Sequence, residues 1–238
     1  VQERYGIRSV MFEDDNFLAL RKRLKELELL LQEERLDMTW SCTSRVDIAD
    51  GETLRLAKRL GCWQVLYGVE SGSQRILDFY DKRITAAQSA RALELTKDAG
   101  LQTKGFIIIG NPLETLETLE ETRNFVMRAA LDDISITYFT PYPGAAVWSV
   151  CGEYGAFDRD WRKLSCFEIV FIPKGLSRAL LEEYQRKIFK EFYFRPRILL
   201  GYLRRIKTRR HLADLVGSGL ALAKHVFLNP SPISYSIR

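Results

Sequence analysis

Five times along this chain a short apolar run stops at a polar turn and gives way to a helical pattern. That repetition limits the fold more than any other feature. The runs are Ile7–Phe12, Met38–Cys42, "WQVLYGV" at 63–69, "GFIII" at 105–109 and Ile134–Phe139. Between the first two, Phe17, Leu20, Leu24, Leu27 and Leu31 recur at the three- and four-residue steps of one helical face. Helices fit Glu52–Leu60 before Gly61, Ala86–Ala99 before Gly100, and Leu116–Ala130. Strand and helix alternating in units of roughly thirty residues predict a parallel sheet with right-handed crossovers. Both a barrel and an open doubly wound sheet satisfy that pattern, although five strands do not close a barrel of eight. The opening "VQERYG" reads as the end of a helix whose strand is missing, so we expect the chain to start inside a domain.

After Phe139 the pattern changes. "TPYPGAAVW" is a turn-rich loop, 150–175 is irregular and aromatic, and 177–194 is helical with Ser177 as its N-cap. Pro196 interrupts, a basic helix follows from Ile198, and 229–238 reads as a frayed end. We therefore expect a core over 1–145 and a mostly helical, basic extension over 146–238. The net charge of +5 is uneven: from Arg195 onward nine Lys/Arg face one acid, Asp214, so the preceding part carries a small acidic excess. Arg204, Arg205, Lys207, Arg209 and Arg210 cluster beside Leu199, Leu200, Leu203 and Ile206 at helical spacing. Such a helix can be a solvated face, or can meet an anionic membrane or an acidic partner. The apolar stretch Leu215–Leu228 is too short to span a bilayer. The cysteines Cys42, Cys62, Cys151 and Cys166 include no C-x-x-C pair, which points to buried thiols in a reducing, cytoplasmic compartment.

In parallel α/β sheets, ligands bind beyond the carboxyl ends of the strands. Here those ends carry Glu13-Asp14-Asp15-Asn16, "SCTSR" at 41–45, Glu70-Ser71-Gly72-Ser73, Gly110 to Thr115, and Thr140 to Gly144. We expect Asp14, Arg45, Glu70, Asn111 and Glu114 to gather on one rim. Acids with one arginine suit a zwitterion, an amino acid or a derivative of one. There is no P-loop, no G-x-G-x-x-G and no H-E-x-x-H. The only histidines, His211 and His225, lie in the tail, so histidine acid–base chemistry is not expected at the rim.

"VMFEDDNF", "GVESGS" with "RIL" after it, "GFIIIGNPLET" and "TPYPG" resemble, in order and spacing, the successive strand ends of radical SAM enzymes. "FDRDWRKLS" and "EFYFRPRILLGYLRRI" resemble the branch, including anaerobic magnesium-protoporphyrin cyclases, that often carries an N-terminal cobalamin-binding domain. The resemblance covers roughly residues 1–210 and implies an α/β fold: a partial (βα)6-type TIM-like barrel lacking its first strand, with the helical extension behind it. It implies reductive cleavage of S-adenosylmethionine to a 5′-deoxyadenosyl radical, used for methylation, cyclisation or other C–H functionalisation of a small-molecule substrate. Lipid- and pigment-like substrates both fit. It implies an electron donor such as flavodoxin or ferredoxin, no nucleic acid, and leaves room for peripheral membrane contact.

By the same resemblance Phe12, Glu13, Asp14 and Asp15 lie against the methionyl amino group. Arg45 is available for its carboxylate, Glu70 and Ser71 face the ribose or the methionyl end, and Gly110 and Pro112 let backbone approach the adenine. Asn111, Glu114 and Tyr142 complete the expected cofactor set, and Tyr142 and Trp148 are also candidates to line a substrate pocket. Plainer roles exist for several of these: Asp15 as cap of the helix at Phe17, Ser73 as an N-cap, Gly110 and Pro112 as turn formers, Tyr142 and Trp148 as packing aromatics. The family's 4Fe-4S cluster sits on a CxxxCxxC loop that this sequence lacks. The expectation is N-terminal truncation, with cobalamin, if used, held by a domain ahead of Val1, and a chain that alone binds no cluster and is inactive. A cluster-free SAM-binding or partner-binding remnant is the alternative. An aldolase would want a strand-end lysine, and Lys104 lies near the start of its strand.

Overall fold

The computed structural model describes residues 2–34, 36, 38–204, 206 and 208–227. Arg205, Lys207, the side chains of Arg209 and Arg210, and the segment 229–238 expected to fray lie outside the described residues. A five-stranded sheet is formed by β1 (Ser9–Phe12), β2 (Thr39–Ser44), β3 (Cys62–Glu70), β4 (Gln102–Ile109) and β5 (Asp133–Tyr138), in that spatial order. Neighbours from β1 to β4 pair in parallel. A doubly wound sheet reverses its strand order at a switch point, and this one never does, so it is of the partial-barrel type. The helices are α1 (Gln2–Tyr5), α2 (Arg21–Glu33), α3 (Gly51–Arg59), α4 (Gln74–Phe79), α5 (Ala86–Asp98), α6 (Leu116–Arg128), α7 (Val147–Tyr154), α8 (Arg178–Tyr193), α9 (Pro196–Leu203) and α10 (Arg209–Phe227). A small antiparallel pair joins β6 (Gly155–Phe157) to β7 (Phe171–Pro173).

The chain forms two compact units, one of residues 1–107 with 128–135, the other of 108–127 with 136–238. This division differs from the one at 145/146 read from the sequence. In the first unit β3 is buried on both faces, through Val65, Leu66, Tyr67 and Val69, as a covered parallel strand must be. Trp40 is fully buried and donates from Nε1 to Leu60 O at 2.7 Å, and Phe12 and Phe17 stack beside it. Asp50 caps α3 by accepting from Glu52 N and Thr53 N, and Thr85 with Gln88 forms a capping box at α5. Gly61 has φ +91°, and a Cβ there would meet Met38 O at 2.3 Å, so only glycine serves.

The helix expected from Phe17 is broken. Phe17–Ala19 makes a 3-10 turn, Leu20 is extended, and α2 begins at Arg21. Phe17 and Leu18 are both buried beneath this turn.

In the second unit Ser177 caps α8 as expected, accepting from Leu180 N at 3.2 Å. Glu120 of α6 accepts from Tyr184, Lys187 and Arg123, and Arg123 also pairs with Glu191 at 2.6 Å. Gln185 donates to Ile136 O and accepts from the Tyr138 hydroxyl. α8 thus bonds directly to α6 and to the β5 backbone. The elements α7, β6 and β7 inside the stretch read as irregular are too short to show a period.

Candidate functional site

The acidic run after β1 is stitched to the end of β2. Thr43 Oγ1 donates to Asp14 O, and Asn16 Oδ1 accepts from Arg45 N at 3.4 Å. The Asp14 carboxylate accepts from Asn16 N at 3.1 Å and from Arg23 Nη1 at 2.7 Å, and these two donors hold its pKa below the ordinary value. An arginine from α2 thus supplies the positive charge beside this carboxylate. Glu13 and Asp15 are exposed, and Phe12 packs its ring in the Phe17–Trp40 cluster. Asp15 caps no helix: Asn16 precedes the 3-10 turn and Leu20 precedes α2, neither with a side-chain capping bond.

Next to this loop lies a pocket of about 190 Å³, walled by Leu66, Phe106 and Ile84 and rimmed by Asp15, Thr43, Arg45, Asp47 and Lys82. Arg45 forks onto Asp47 at 2.9 and 2.8 Å, and this pair lowers the Asp47 pKa. Its Nη2 also donates to Lys82 O at 3.3 Å. Glu70 follows a register shift between Gly68 and Glu70 and has φ +63°, unusual for a residue with a side chain. That conformation carries its carboxylate back over Gly68, where a Cβ would come within 2.7 Å of Glu70 Oε1 and 3.1 Å of Lys82 Nζ. Lys82 Nζ lies 2.5 Å from Glu70 Oε1. The pocket is thereby lined with both signs of charge in near balance. Asp47 and Lys82 were not singled out in the sequence. Arg45-x-Asp47 is a local signal for the first, and nothing local marks the second.

Ser71 is buried and its hydroxyl accepts from Ser73 N at 3.0 Å, closing the turn into α4. Ser73 occupies the N-cap position but makes no capping bond, and its buried hydroxyl has no partner among the described residues.

In the second unit the turn after β4 is organised by Glu114. Its carboxylate accepts from Gly110 N at 3.1 Å, from Asn111 N at 3.4 Å and from Thr118 Oγ1. Burial nevertheless pushes its pKa up to about 7. Gly110 has φ +84°, and Pro112 lies inside the turn. Asn111 is fully buried: its Oδ1 accepts from Leu113 N at 2.8 Å, while its Nδ2 has no partner among the described residues. Tyr142 is half exposed, and Trp148 packs edge-on against Phe157 at 5.1 Å with Arg159 over its ring. Of the five residues expected on one rim, Asp14, Arg45 and Glu70 end β1, β2 and β3 in the first unit. Asn111 and Glu114 follow β4 in the second. Lys104 is within β4, paired with Asp133 at 3.0 Å.

A cluster or metal ion needs converging ligands. Cys42 and Cys62 sit on adjacent strands, buried, with the Cys42 thiol pushed up by its hydrogen bond to Cys62 and by burial. Cys151 is buried and raised to about 11 by desolvation. Among the described residues no group of three His, Cys, Asp or Glu could hold a metal. These residues do not fit a 4Fe-4S cluster. S-adenosylmethionine is a different case. The two-signed pocket carries charges of the kind its zwitterionic end would pair with, and the orphaned Ser73 hydroxyl of the same unit is a buried polar atom of the kind a ligand satisfies.

Comparison with known proteins follows these features. The radical SAM superfamily profile matches residues 1–126. An uncharacterised methyltransferase of Pyrococcus horikoshii is 35% identical over 201 residues, covering 82% of this chain and 43% of the relative. The anaerobic magnesium-protoporphyrin IX monomethyl ester cyclase of Rubrivivax gelatinosus is 26% identical over 204 residues, covering 84% and 36%. The chain spans less than half the length of these two relatives. Apo OxsB, a cobalamin-dependent S-adenosylmethionine radical enzyme, superposes with a TM-score of 0.64 at 14% identity, over 95% of this chain and 40% of its own. That likeness carries the fold.

Proposed function

Because this chain belongs to the radical SAM superfamily, we propose that it forms the S-adenosylmethionine-binding part of an enzyme that functionalises a C–H bond of a small molecule. In this family bound S-adenosylmethionine supplies, on one-electron cleavage, a carbon radical able to take hydrogen from an unreactive carbon. An external donor such as flavodoxin or ferredoxin would provide the electron. Among the described residues none forms a cluster site.

The chain's own residues bind and orient. The observation that carries the proposal is Glu70, whose left-handed backbone at the β3 shift delivers a carboxylate beside a small two-signed pocket. Glu70 and Asp15 would take the ammonium or ribose hydroxyls, and Lys82 the carboxylate, with Asp47 keeping Arg45 fixed at the rim. Leu66 and Phe106 exclude water from one side of the pocket. Methylation and ring closure, named for the relatives, are the outcomes this reading favours, and a pigment- or lipid-like substrate is compatible with both.

Isothermal titration with S-adenosylmethionine under anaerobic conditions tests the proposal. Stoichiometric binding, weakened about tenfold or more in Glu70→Gln and Lys82→Met, is expected for loss of a charge-assisted contact. No binding by the full-length protein, or binding indifferent to both substitutions, would remove this assignment.

A further inference from the structure

A cavity of about 360 Å³ lies inside the second unit, among α8, α10, the end of β5 and the loop ahead of β7. Its floor is polar although it is buried: Tyr138, Gln185 and His225 are 4%, 7% and 6% exposed. The floor is also fixed. Gln185 Nε2 donates to Ile136 O at 3.0 Å, and its Oε1 accepts from the Tyr138 hydroxyl at 2.9 Å. Burial, with Glu182 nearby, pushes the Tyr138 pKa up, so the hydroxyl keeps the proton it gives to Gln185, and its oxygen is left as an acceptor. His225 packs edge-on against Phe189 of α8, ring centroids 6.1 Å apart.

One stripe of α8 supplies charge to this cavity. Arg178, Glu182, Gln185 and Arg186 recur at helical spacing, and all four line it. A glutamate four residues ahead of an arginine is the order that favours an ion pair on a helix surface. Glu182 and Arg186 form none: the ion pairs of α8 among the described residues run from Lys187 and Glu191 to α6. Arg178 Nη2 is held by Ile169 O at 2.6 Å, which leaves its charge without a carboxylate. On the loop, Lys163 pairs with Asp158 at 2.7 Å. With Glu168, the lining holds three basic and three acidic side chains, so a ligand without net charge matches it. Half-buried charges of opposite sign, one helical turn apart and not paired with each other, suit a ligand that carries both signs close together.

We infer that this cavity binds a free α-amino acid as its zwitterion. Glu182 and the Tyr138 oxygen accept from the ammonium, and Arg186 with Arg178 donates to the carboxylate. An α-amino acid carries its two charges on one carbon, and Glu182 and Arg186 stand about 6 Å apart along the axis of α8, within reach of both. The cavity falls in the range of about 300–1,000 Å³ usual for small-molecule sites, which leaves room for a side chain. The class follows from the charges: a dicarboxylate would strand Glu182, and a polyamine would strand the two guanidiniums. This inference uses no residue of the pocket beside Glu70, and neither assignment fails with the other.

Saturation-transfer NMR of the full chain with each proteinogenic L-amino acid at millimolar concentration tests it, and isothermal titration measures the affinity of any that bind. Binding of at least one is expected. N-acetylation or amidation of that amino acid, Glu182→Gln, and Arg186→Met should each weaken it about tenfold or more. Glu70→Gln and Lys82→Met should leave it unchanged, which separates this cavity from the S-adenosylmethionine pocket. The Glu182 and Arg186 side chains are half-buried and bond to nothing among the described residues, so neither substitution orphans a partner, and circular dichroism checks that the variants stay folded. Absence of binding by every amino acid overturns the inference. So does binding indifferent to Glu182→Gln and Arg186→Met, equal binding of the acetylated and amidated forms, or binding lost in Glu70→Gln, which would place the ligand in the other pocket.

Discussion

Glu114 is a carboxylate with three hydrogen-bond donors and a pKa nevertheless raised from 4.5 to about 7, because burial outweighs the donors. The native state then holds a proton that the unfolded chain has lost, so between those two values stability falls as pH rises, and above about pH 7 the full cost remains, on the order of 3 kcal/mol. Glu114→Gln keeps an acceptor for Gly110 N and Asn111 N and can donate to Thr118, so it should flatten that dependence. Urea unfolding at pH 5 and pH 8 measures it: wild type should lose stability across the interval and the variant should not. An unchanged slope in the variant would mean that another group carries the effect. The carboxylates themselves were legible in the sequence because each stands at a strand end, a position fixed by the period of the chain. Their counter-charges were not. Arg23 reaches Asp14 from one turn inside α2, and Lys82 reaches Glu70 from a loop twelve residues on, distances set by tertiary packing and not by any repeat.

At the scale of elements, several polar contacts of α8 converge on one side chain of α6. Glu120 sits in front of Lys187, Tyr184 and Arg123, and these donors, Lys187 foremost, depress its pKa from 4.5 to about 2. A depressed carboxylate stabilises the fold above its unfolded value and loses that contribution as pH falls through its folded value, so this contact should weaken between about pH 4.5 and 2. Glu120 is partly solvated, and the discounted contribution is roughly 1–2 kcal/mol. Glu120→Ala should lower the midpoint of thermal unfolding by a few degrees at pH 7 and by almost nothing near pH 2, read by calorimetry. The existence of α8 and its Ser177 cap was legible from apolar spacing and a cap residue. Its partners were not, since nothing in the sequence says which helix an amphipathic face will meet. The same limit explains β6 and β7, three residues each, whose pairing is visible only once Gly155 lies across from Pro173. β4 began three residues earlier than expected because Gln102 and Lys104 interrupt the apolar run on its less buried face.

For the whole molecule, the sequence showed the sequential α/β order and the basic tail, both properties of the chain as a string. It did not show how the string is shared between the two compact units. The path leaves the first unit after Ile107, returns at Arg128 and leaves again after Ser135. Neither unit is therefore a contiguous block of the gene. A recombination event that exchanged this protein with a relative between 108 and 135 would split both cores at once, whereas a junction beyond Ile136 would disturb only one. Chimeras with the Pyrococcus relative should follow that rule. Junctions near residue 120 should yield insoluble protein and junctions near residue 145 folded protein, as read by solubility and circular dichroism, and folded products from both would show that the halves tolerate each other's parts. In lineages that shuffle domains, such a weave makes the segment from 108 to 135 heritable only as part of the whole, a cassette that drifts by point mutation and is not traded.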